Sequence, residues 1–511
     1  MSILLTVFFT FLTSVISFYL WRWTYWKRRG VPGPPSVPLI GNNLELLDSE
    51  NPAVLKYEKW TKEYGRFFGI QEGLRQVLVV SDPNAIQEIF VKQFDNFYSR
   101  KTFALADPHD PRTHVFNAQG NKWKRLRVIS NPTFTNTNLK KLLPTVEESV
   151  LEWLDHVEKN SNDAINFLDY YQEFTMDVIS RIAMGQTESV MFKNPLVRTM
   201  AKLFMSNDRK NIVILANLLP KPLVGYLRKA FLMISTEKTN PFVAIMKMCE
   251  RAVTARIQQR EKDLTAGIEP GEPVDFIDLF LDARSDELFD DREFSKENVK
   301  VARRLTTDEI IAQCFVFMVA GFDTTALSLS YTTHLLATHP EIQKKVQEEI
   351  ARECPNPSID FESLGRLHYL DAVIKETLRL YPLGAFVNSR QCVNTTTVAG
   401  IEIEKGTYIQ ADTWTLHYNK DLWGENAAEF VPERWLEGDV NKNNWIPFGH
   451  GPRQCIGMRL AVMEEKLLLA HFIRRFRLNT GVKSEKKLNL IGTMTTQPEA
   501  VHLYVKERTD Y

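Results

Sequence analysis

Close to its C-terminal end the chain reads Trp445-Ile-Pro-Phe448-Gly449-His450-Gly451-Pro452-Arg453-Gln454-Cys455-Ile456-Gly457. Two glycines and a proline crowd the residues before one cysteine, and beyond Gly457 the run Leu460 to Phe472 has helical apolar spacing. The pattern predicts Cys455 on a tight loop that opens a helix. Unpaired N–H groups and the positive end of a helix N-terminus stabilise a thiolate there, and Pro452 has no N–H to give. A sulfur so held suits a soft metal or a haem iron. The bland alternative is a small buried core residue beside a glycine turn.

Three other constellations carry chemistry. Ala320-Gly321-Phe322-Asp323-Thr324-Thr325 puts a glycine, an acid and two threonines in the middle of an apolar helical run, where each is locally unfavourable. Such a break marks either function or a kink for helix packing. Trp123 and Arg127, four apart, share a helix face, and an indole N–H and a guanidinium both donate to a carboxylate. Taken alone they read better as a solvated basic helix end. Glu376 and Arg379 are three apart among Leu, Val, Ile and Tyr, which predicts a buried pair rather than an exposed one of small effect.

The elements that must position these groups follow from periodicity. Thr307-Asp308-Glu309 opens a long helix through Leu336, and Asn121 to Arg127 opens another. On that second helix Lys122, Lys124 and Arg125 are expected to face outward as a basic patch. Phe67 to Ile70 and Gln76 to Val80 are short β-prone runs on either side of Gly73, and Asp82-Pro83 begins a helical pattern to Phe90. Phe94 to Gly120, with Pro108 and Pro111, is a long loop of the kind that is functional or disordered. Lys140 to Phe280 reads as amphipathic helices. Within it Met200 to Leu232, interrupted by Pro220 and Pro222, is apolar enough to cover a pocket and touch a bilayer surface, or to be an ordinary core helix pair. Asp282 to Asp308 is a densely charged, solvated connection. Leu383 to Val387 leads into a short strand ending at Arg390, and Ile491 to Gln497 is a polar turn in a β-prone tail.

Lys plus Arg equals Asp plus Glu at 63 each, so no global field attracts nucleic acid. Five scattered cysteines without C-x-x-C spacing argue against a disulfide framework or a structural zinc site. Ile3 to Leu20 carries no charge and is followed by Trp21, Trp23, Tyr25 and Trp26, which reads as a spanning helix with an aromatic belt. The first cations, Arg22, Lys27, Arg28 and Arg29, lie after the apolar run, so it reads as a signal anchor with the remainder cytosolic rather than as a cleaved signal peptide. Val31-Pro32-Gly33-Pro34-Pro35 cannot be helical and is expected to be a stiff spacer. The expected organisation is an anchor over residues 1–29, a proline-rich hinge over 30–40 and a catalytic domain over 41–511.

The pattern Phe448-x-x-Gly451-x-Arg453-x-Cys455-x-Gly457 resembles the haem-binding loop of the cytochromes P-450, and five fixed residue types match by chance in on the order of one such chain in ten thousand. Ala320 to Thr325 is similar to that family's oxygen-binding segment, Glu376-x-x-Arg379 to its Glu-x-x-Arg, and Trp123-x-x-x-Arg127 to its propionate-holding pair. The Glu-x-x-Arg pair has its third member in Arg434 of Phe430-Val-Pro-Glu-Arg434-Trp435, where Trp435 stands in place of the commoner Phe. Four motifs in the family's order, behind an anchor and a hinge, extend the resemblance over essentially the whole chain.

The resemblance implies a mainly α fold with a small β region and one haem b bound axially by Cys455. It implies propionate donors in Trp123, Arg127, Arg390, Arg453 and Arg100, with Phe448 beside the haem and Ala320 and Gly321 leaving it room. Thr324 would hydrogen-bond bound oxygen and Asp323 relay protons from solvent. Glu376, Arg379 and Arg434 would be scaffold. The loop after Phe94 would cap a substrate pocket lined by Phe103, Leu105, Phe116, Phe386, Val387 and Met494. The implied activity is monooxygenation of a lipophilic compound at the endoplasmic reticulum membrane, with electrons from NADPH–cytochrome P-450 reductase and cytochrome b5 as a second donor. Its rivals are a haem-thiolate isomerase or dehydratase needing no reductase, and a non-catalytic haem sensor or carrier.

Overall fold

A computed structural model describes residues 2–205, 210–269, 271–273, 275–285, 304–438 and 440–509. Helix α1 (Ser2–Trp23) is apolar and none of its apolar window is buried; the span Ile3–Trp23 has a mean hydropathy of 2.2, the length and composition that cross a bilayer core. The aromatic belt is shorter than the sequence suggests. Trp21 is exposed, but Tyr25 and Trp26 are 1% and 6% exposed. The Tyr25 hydroxyl lies 3.2 Å from Thr407 Oγ1, and the Trp26 indole donates to the Ile70 carbonyl at 3.0 Å. They belong to the core because the body begins within a few residues of the end of α1. Nor does the proline segment stand free. Proline lacks an N–H but keeps its carbonyl, and those of Pro32 and Pro35 accept from the Gly69 backbone (2.8 Å) and the Asn42 side chain (3.1 Å), laying the segment along the body.

Strands β1 (Phe67–Glu72) and β2 (Arg75–Val80) form an antiparallel hairpin, Phe67 opposite Val80 and Glu72 opposite Arg75. The principal helices then follow: α2 (Gly120–Ser130), α3 (Asn136–Lys159), α4 (Phe167–Met184), α5 (Lys210–Leu218), α6 (Lys221–Ile234), α7 (Pro241–Thr265), α8 (Thr307–Thr338) and α9 (His368–Leu380). Strands β3 (Ser389–Gln391) and β4 (Tyr408–Ala411) complete a sheet of order β1-β2-β4-β3, with β2 parallel to β4 and β3 antiparallel to it. Helix α10 (Met458–Arg475) and a last small hairpin, β5 (Leu490–Ile491) and β6 (Gln497–Pro498), close the site from the C-terminal side. The fold is mainly helical with small sheets, as the family resemblance implies.

Helix α8 is the axis of the helical body. It is apolar enough to span a membrane, yet 78% of its apolar window is buried by neighbours, so it is a core helix. Its start is fixed by a capping box in which Thr306 Oγ1 accepts from the Glu309 N–H and Glu309 accepts from the Thr306 N–H. The same glutamate takes both guanidinium nitrogens of Arg125, at 2.7 and 2.9 Å. Arg125 is 2% exposed, and Lys122 Nζ lies 3.8 Å from Glu309. The outward basic patch expected at Lys122, Lys124 and Arg125 is therefore lost at Arg125, whose charge neutralises the buried Glu309 carboxylate that caps α8. Most of the charged stretch Asp282–Asp308 lies outside the described residues.

Candidate active site

The cysteine loop is built backbone first. The Cys455 N–H donates to the Phe448 carbonyl at 2.8 Å and the Gln454 N–H to the Gly451 carbonyl at 2.9 Å, closing a tight turn immediately before α10. Gly451 has φ +71°, and a Cβ there would lie 2.1 Å from the Phe90 carbonyl oxygen, so no side chain fits. The sulfur's accessible face lies on the wall of an internal cavity. Burial raises the affinity of this thiol for its proton, opposed by the Gly457 and Met458 N–H groups and by Arg127 and Arg100. A cation at the sulfur would add to these groups in favouring the thiolate.

Four guanidiniums gather around the same cavity wall. Arg390 and Arg453 are 1% and 3% exposed, and Arg100 and Arg127 are half-buried with their open faces on the cavity. Their protein hydrogen bonds run only to backbone carbonyls: Arg100 to Arg453 (3.0 Å), Arg127 to Gln454 (2.8 Å), Arg390 to Ser389 and His450 (2.8 and 3.0 Å), and Arg453 to Tyr98, Ala118 and Val115 (3.0, 2.7 and 3.4 Å). None has a carboxylate partner among the described residues. Among the described residues Nε of Arg100 and of Arg390 has no hydrogen-bond partner. Burial and mutual repulsion weaken their hold on protons, well below the usual arginine value for Arg390 and Arg453 and down to about 10 for Arg100. Buried like charges without counter-charges cost several kcal/mol each, on the order expected for an unpaired buried ion, unless an anion joins them. Trp123 lines the same cavity, its ring 4.3 Å from the Arg453 guanidinium.

Helix α8 supplies the opposite wall. Val316, Ala320 and Thr324 stack at i, i+4 and all face the cavity. Thr324 Oγ1 donates to the Ala320 carbonyl at 2.8 Å. Gly321 touches the cavity too, but its missing side chain serves packing: a Cβ there would lie 2.9 Å from Ile179 Cδ1 of α4. Of the two readings of this glycine, room for a bound group and close helix approach, the crossing of α4 explains it directly. Thr175, one turn before Ile179, also donates to the Phe322 carbonyl at 2.7 Å.

Asp323 is fully buried and is not on the cavity wall. Its carboxylate accepts from Thr495 Oγ1 at 2.7 Å and from Gln172 Nε2 at 3.4 Å. Burial lifts its pKa to about 6 against both hydrogen bonds. Side chains of α4 and the C-terminal hairpin enclose Asp323, so its carboxylate meets neither solvent nor the cavity in this conformation.

The cavity holds about 720 Å³ and is largely apolar. Phe103, Phe116 and Phe386 form one aromatic wall, with ring centroids 5.4 to 6.3 Å apart, and Leu105, Val387, Met494 and Phe448 also line it. Behind the cysteine loop Glu376 and Arg379 are both 0% exposed and paired bidentately at 2.8 and 2.9 Å. Arg434 Nε adds a contact to Glu376 at 2.9 Å, and Arg379 also donates to the carbonyls of His417, Ala427 and Glu429.

A sulfur at the start of a helix, a ring of uncompensated cations and an apolar cavity bounded by a threonine-bearing helix make one site. The family model described as Cytochrome P450 matches residues 31–504. The chain belongs to the cytochrome P450 family. Among curated relatives, a Caenorhabditis elegans sequence assigned as cytochrome P450 CYP13A10 is 51% identical over 520 residues, covering 99% of this chain and 100% of that one. CYP13A1 of the same organism is 50% identical over 507 residues, 97% of each chain.

Cytochromes P450 carry a haem, and the residues present fit one. A haem brings two propionates, the anions that the buried guanidiniums lack, and an iron, a cation that would favour a thiolate at Cys455. Sequence reasoning missed other cavity residues of this P450. Phe204 and Phe231 line the cavity from within Met200–Leu232, the stretch read as able to cover a pocket, and Phe315 lines it from α8 beside Val316. Phe242, at the start of α7, lines it with no signal in the sequence. His114 also lines the cavity; burial and nearby Arg100 push its pKa down to about 4, which makes it a neutral imidazole at physiological pH.

Proposed function

We propose that this P450 is a haem-thiolate monooxygenase acting on a lipophilic substrate. In this reading Cys455 would ligate the iron of a haem b, Arg100, Arg127, Arg390, Arg453 and Trp123 would hold its propionates, and Phe448 and Ala320 would lie against it. What carries the reading is the cluster of four guanidiniums, two of them almost wholly buried, whose only acceptors among the described residues are backbone carbonyls. When bound, the haem supplies activation of O₂ and storage of the electrons that insertion of one oxygen atom consumes.

The protein's share is positioning, exclusion of water and control of protons. Phe103, Phe116, Phe386, Val387 and Met494 give a substrate an apolar bed and displace water from it. Thr324 faces the cavity with a hydroxyl that holds the Ala320 carbonyl and is free to turn toward the reacting atoms. Asp323, with a pKa near 6, can carry or release a proton near neutrality. Glu376, Arg379 and Arg434 hold the scaffold behind the sulfur. The exposed apolar α1 fits an anchor in the endoplasmic reticulum membrane with the body on the cytosolic side, where NADPH–cytochrome P-450 reductase, and cytochrome b5 as a second donor, deliver electrons.

The full-length protein in microsomes, reduced under carbon monoxide, should show the Soret band of thiolate ligation, and Cys455→Ala should lose it. A Cys455→Ala variant that kept that band would overturn the ligand assignment. With reductase, NADPH and O₂, a panel of steroids, fatty acids and xenobiotics should yield at least one hydroxylated product. Product formation without NADPH would favour the isomerase or dehydratase instead.

A further inference from the structure

We infer that Thr495 is a positioning residue for proton delivery: its hydroxyl holds the Asp323 carboxylate turned away from the cavity and ties that acid to the hairpin against which a substrate lies. The inference rests on the reading that Asp323 handles protons. Thr495 Oγ1 donates to Asp323 Oδ2 at 2.7 Å, and both side chains are buried, at 6% and 0% exposure. Asp323 does not reach the cavity, whereas Thr495 lines it together with Met494 and Thr496 on the turn between β5 and β6. Thr495 thus touches both the acid and the space where a substrate would sit. The turn is itself anchored. The Thr496 N–H donates to the Leu383 carbonyl at 3.0 Å, the Tyr331 hydroxyl of α8 donates to the Thr496 carbonyl at 3.0 Å, and the Gly492 N–H donates to the Ser49 carbonyl at 2.7 Å. A substrate pressing on Met494 would therefore bear on a braced turn whose most direct link to the acid is one hydroxyl.

The surroundings of Asp323 carry no compensating charge. Helix α4 presents Gln172, a neutral amide, the hairpin presents Thr495, and within α8 the Tyr331 phenol senses the Asp323 charge but is neutral itself at physiological pH. Only burial and the two hydrogen bonds act on the acid's proton affinity, so Thr495 is one of just two groups that favour its ionised form. Removing the hydroxyl should raise the proton affinity of Asp323 and free its side chain to rotate.

The test uses the full-length haem-loaded protein with reductase and needs no identified substrate. The ratio of peroxide released to NADPH consumed is followed from about pH 5 to about pH 8, beside a difference infrared titration of the protonated-carboxyl band that Asp323→Asn removes. Thr495→Val should move both titrations to higher pH by at least about half a pH unit and change the peroxide ratio several-fold, with Thr495→Ser restoring wild-type behaviour. Should Thr495→Val fail to take up haem, Thr495→Ala gives the same readouts without a misplaced γ-methyl. If Asp323→Asn changes the peroxide ratio while the Thr495 variants superimpose on wild type, the inference is overturned and the proton role of Asp323 stands. If Asp323→Asn changes nothing, that role falls and the inference with it.

Discussion

Trp435 donates its indole N–H to Glu376 at 2.9 Å, on the carboxylate oxygen that also accepts from Arg379 Nε. The other oxygen takes Arg379 Nη2, Arg434 Nε and the Val431 N–H. The tryptophan that departs from the commoner phenylalanine thus adds a donor to an already crowded buried anion. Trp435→Phe should lower unfolding stability by about 1.5 to 3 kcal/mol, the value of a hydrogen bond to a charged group. Glu376→Ala strands two guanidiniums and should cost about 3 to 5 kcal/mol, with loss of haem-loaded protein on expression. Denaturant midpoints followed by tryptophan fluorescence check the first, and haem content per chain the second.

The buried arginines give a prediction in which two measurements move oppositely. In the protein without haem each is an uncompensated like charge among others. Arg390→Leu or Arg453→Leu should leave the apoprotein as stable as before or more so, because a desolvated cation is removed. The same variants should release haem at least about tenfold faster, since one charge-assisted contact to a propionate is gone. Apoprotein thermal midpoints and haem transfer to a scavenger protein measure the two. Loss of apoprotein stability with haem release unchanged would make these arginines structural braces instead.

What was legible in the sequence was what is local. Cys455, Gly451 and Arg453 lie within five residues, and the i, i+4 stack of Val316, Ala320 and Thr324 is visible in one dimension. What failed was long-range. Arg125 sits in a basic string that looks solvent-facing, but its partner Glu309 is 184 residues away. The enclosure of Asp323 was not legible either, because nothing near it in sequence announces Thr495, 172 residues on, or Gln172, 151 residues back. Tyr25 and Trp26 read as interfacial because they continue an apolar run, and only the position of β1 shows that they are core. Gly321 had two local readings, and the choice between them needed the location of Ile179.

The acidity of Asp323 has a consequence for stability. Its folded pKa of about 6 lies above the ordinary 3.8, so the native state binds more protons than the unfolded chain between those values. The protonated carboxyl is favourable to the fold at low pH, and that contribution is lost as pH rises from about 4 through about 6. Asp323→Asn keeps an acceptor for Thr495 but cannot ionise. It should be more stable than wild type above about pH 6 by up to a few kcal/mol, since each tenfold difference in proton affinity is worth about 1.4 kcal/mol. Below about pH 4 the difference should vanish. Urea denaturation at several pH values measures it, and a difference that grew toward low pH would reverse the sign.

At Gly321 the near contact is the tip of a flexible isoleucine, 2.9 Å from where a Cβ would stand. Gly321→Ala gains about 1 kcal/mol of helix propensity and loses a similar amount by crowding Ile179, so it should be nearly neutral. Combined with Ile179→Val it should come out stabilising, because the offending methyl is gone. Gly321→Val cannot be relieved in that way and should destabilise by about 1 to 3 kcal/mol. If Gly321→Ala instead left stability untouched but abolished haem uptake in both backgrounds, the glycine would serve the cavity rather than the crossing of α4.

The junction between α1 and the body separates anchoring from folding. Cleavage after Thr24 would remove the exposed apolar helix along with the Tyr19 hydroxyl bond to the Leu218 carbonyl and the Arg22 bond to the Leu74 carbonyl, both 2.7 Å. Tyr25 and Trp26 would stay in the core, and the shortened chain should fold and bind haem. Four residues further on the outcome changes. Removing Tyr25 and Trp26 empties a site bounded by Ile70, Thr407 and β1, and loss of buried aromatic side chains costs about 3 to 5 kcal/mol each. A chain beginning at Arg29 should therefore aggregate or express without haem, while one beginning at Tyr25 should not. Equal yields of haem-loaded protein from both would mean that the packing of these two aromatics contributes little, and that the body's first stabilising element lies beyond the proline segment.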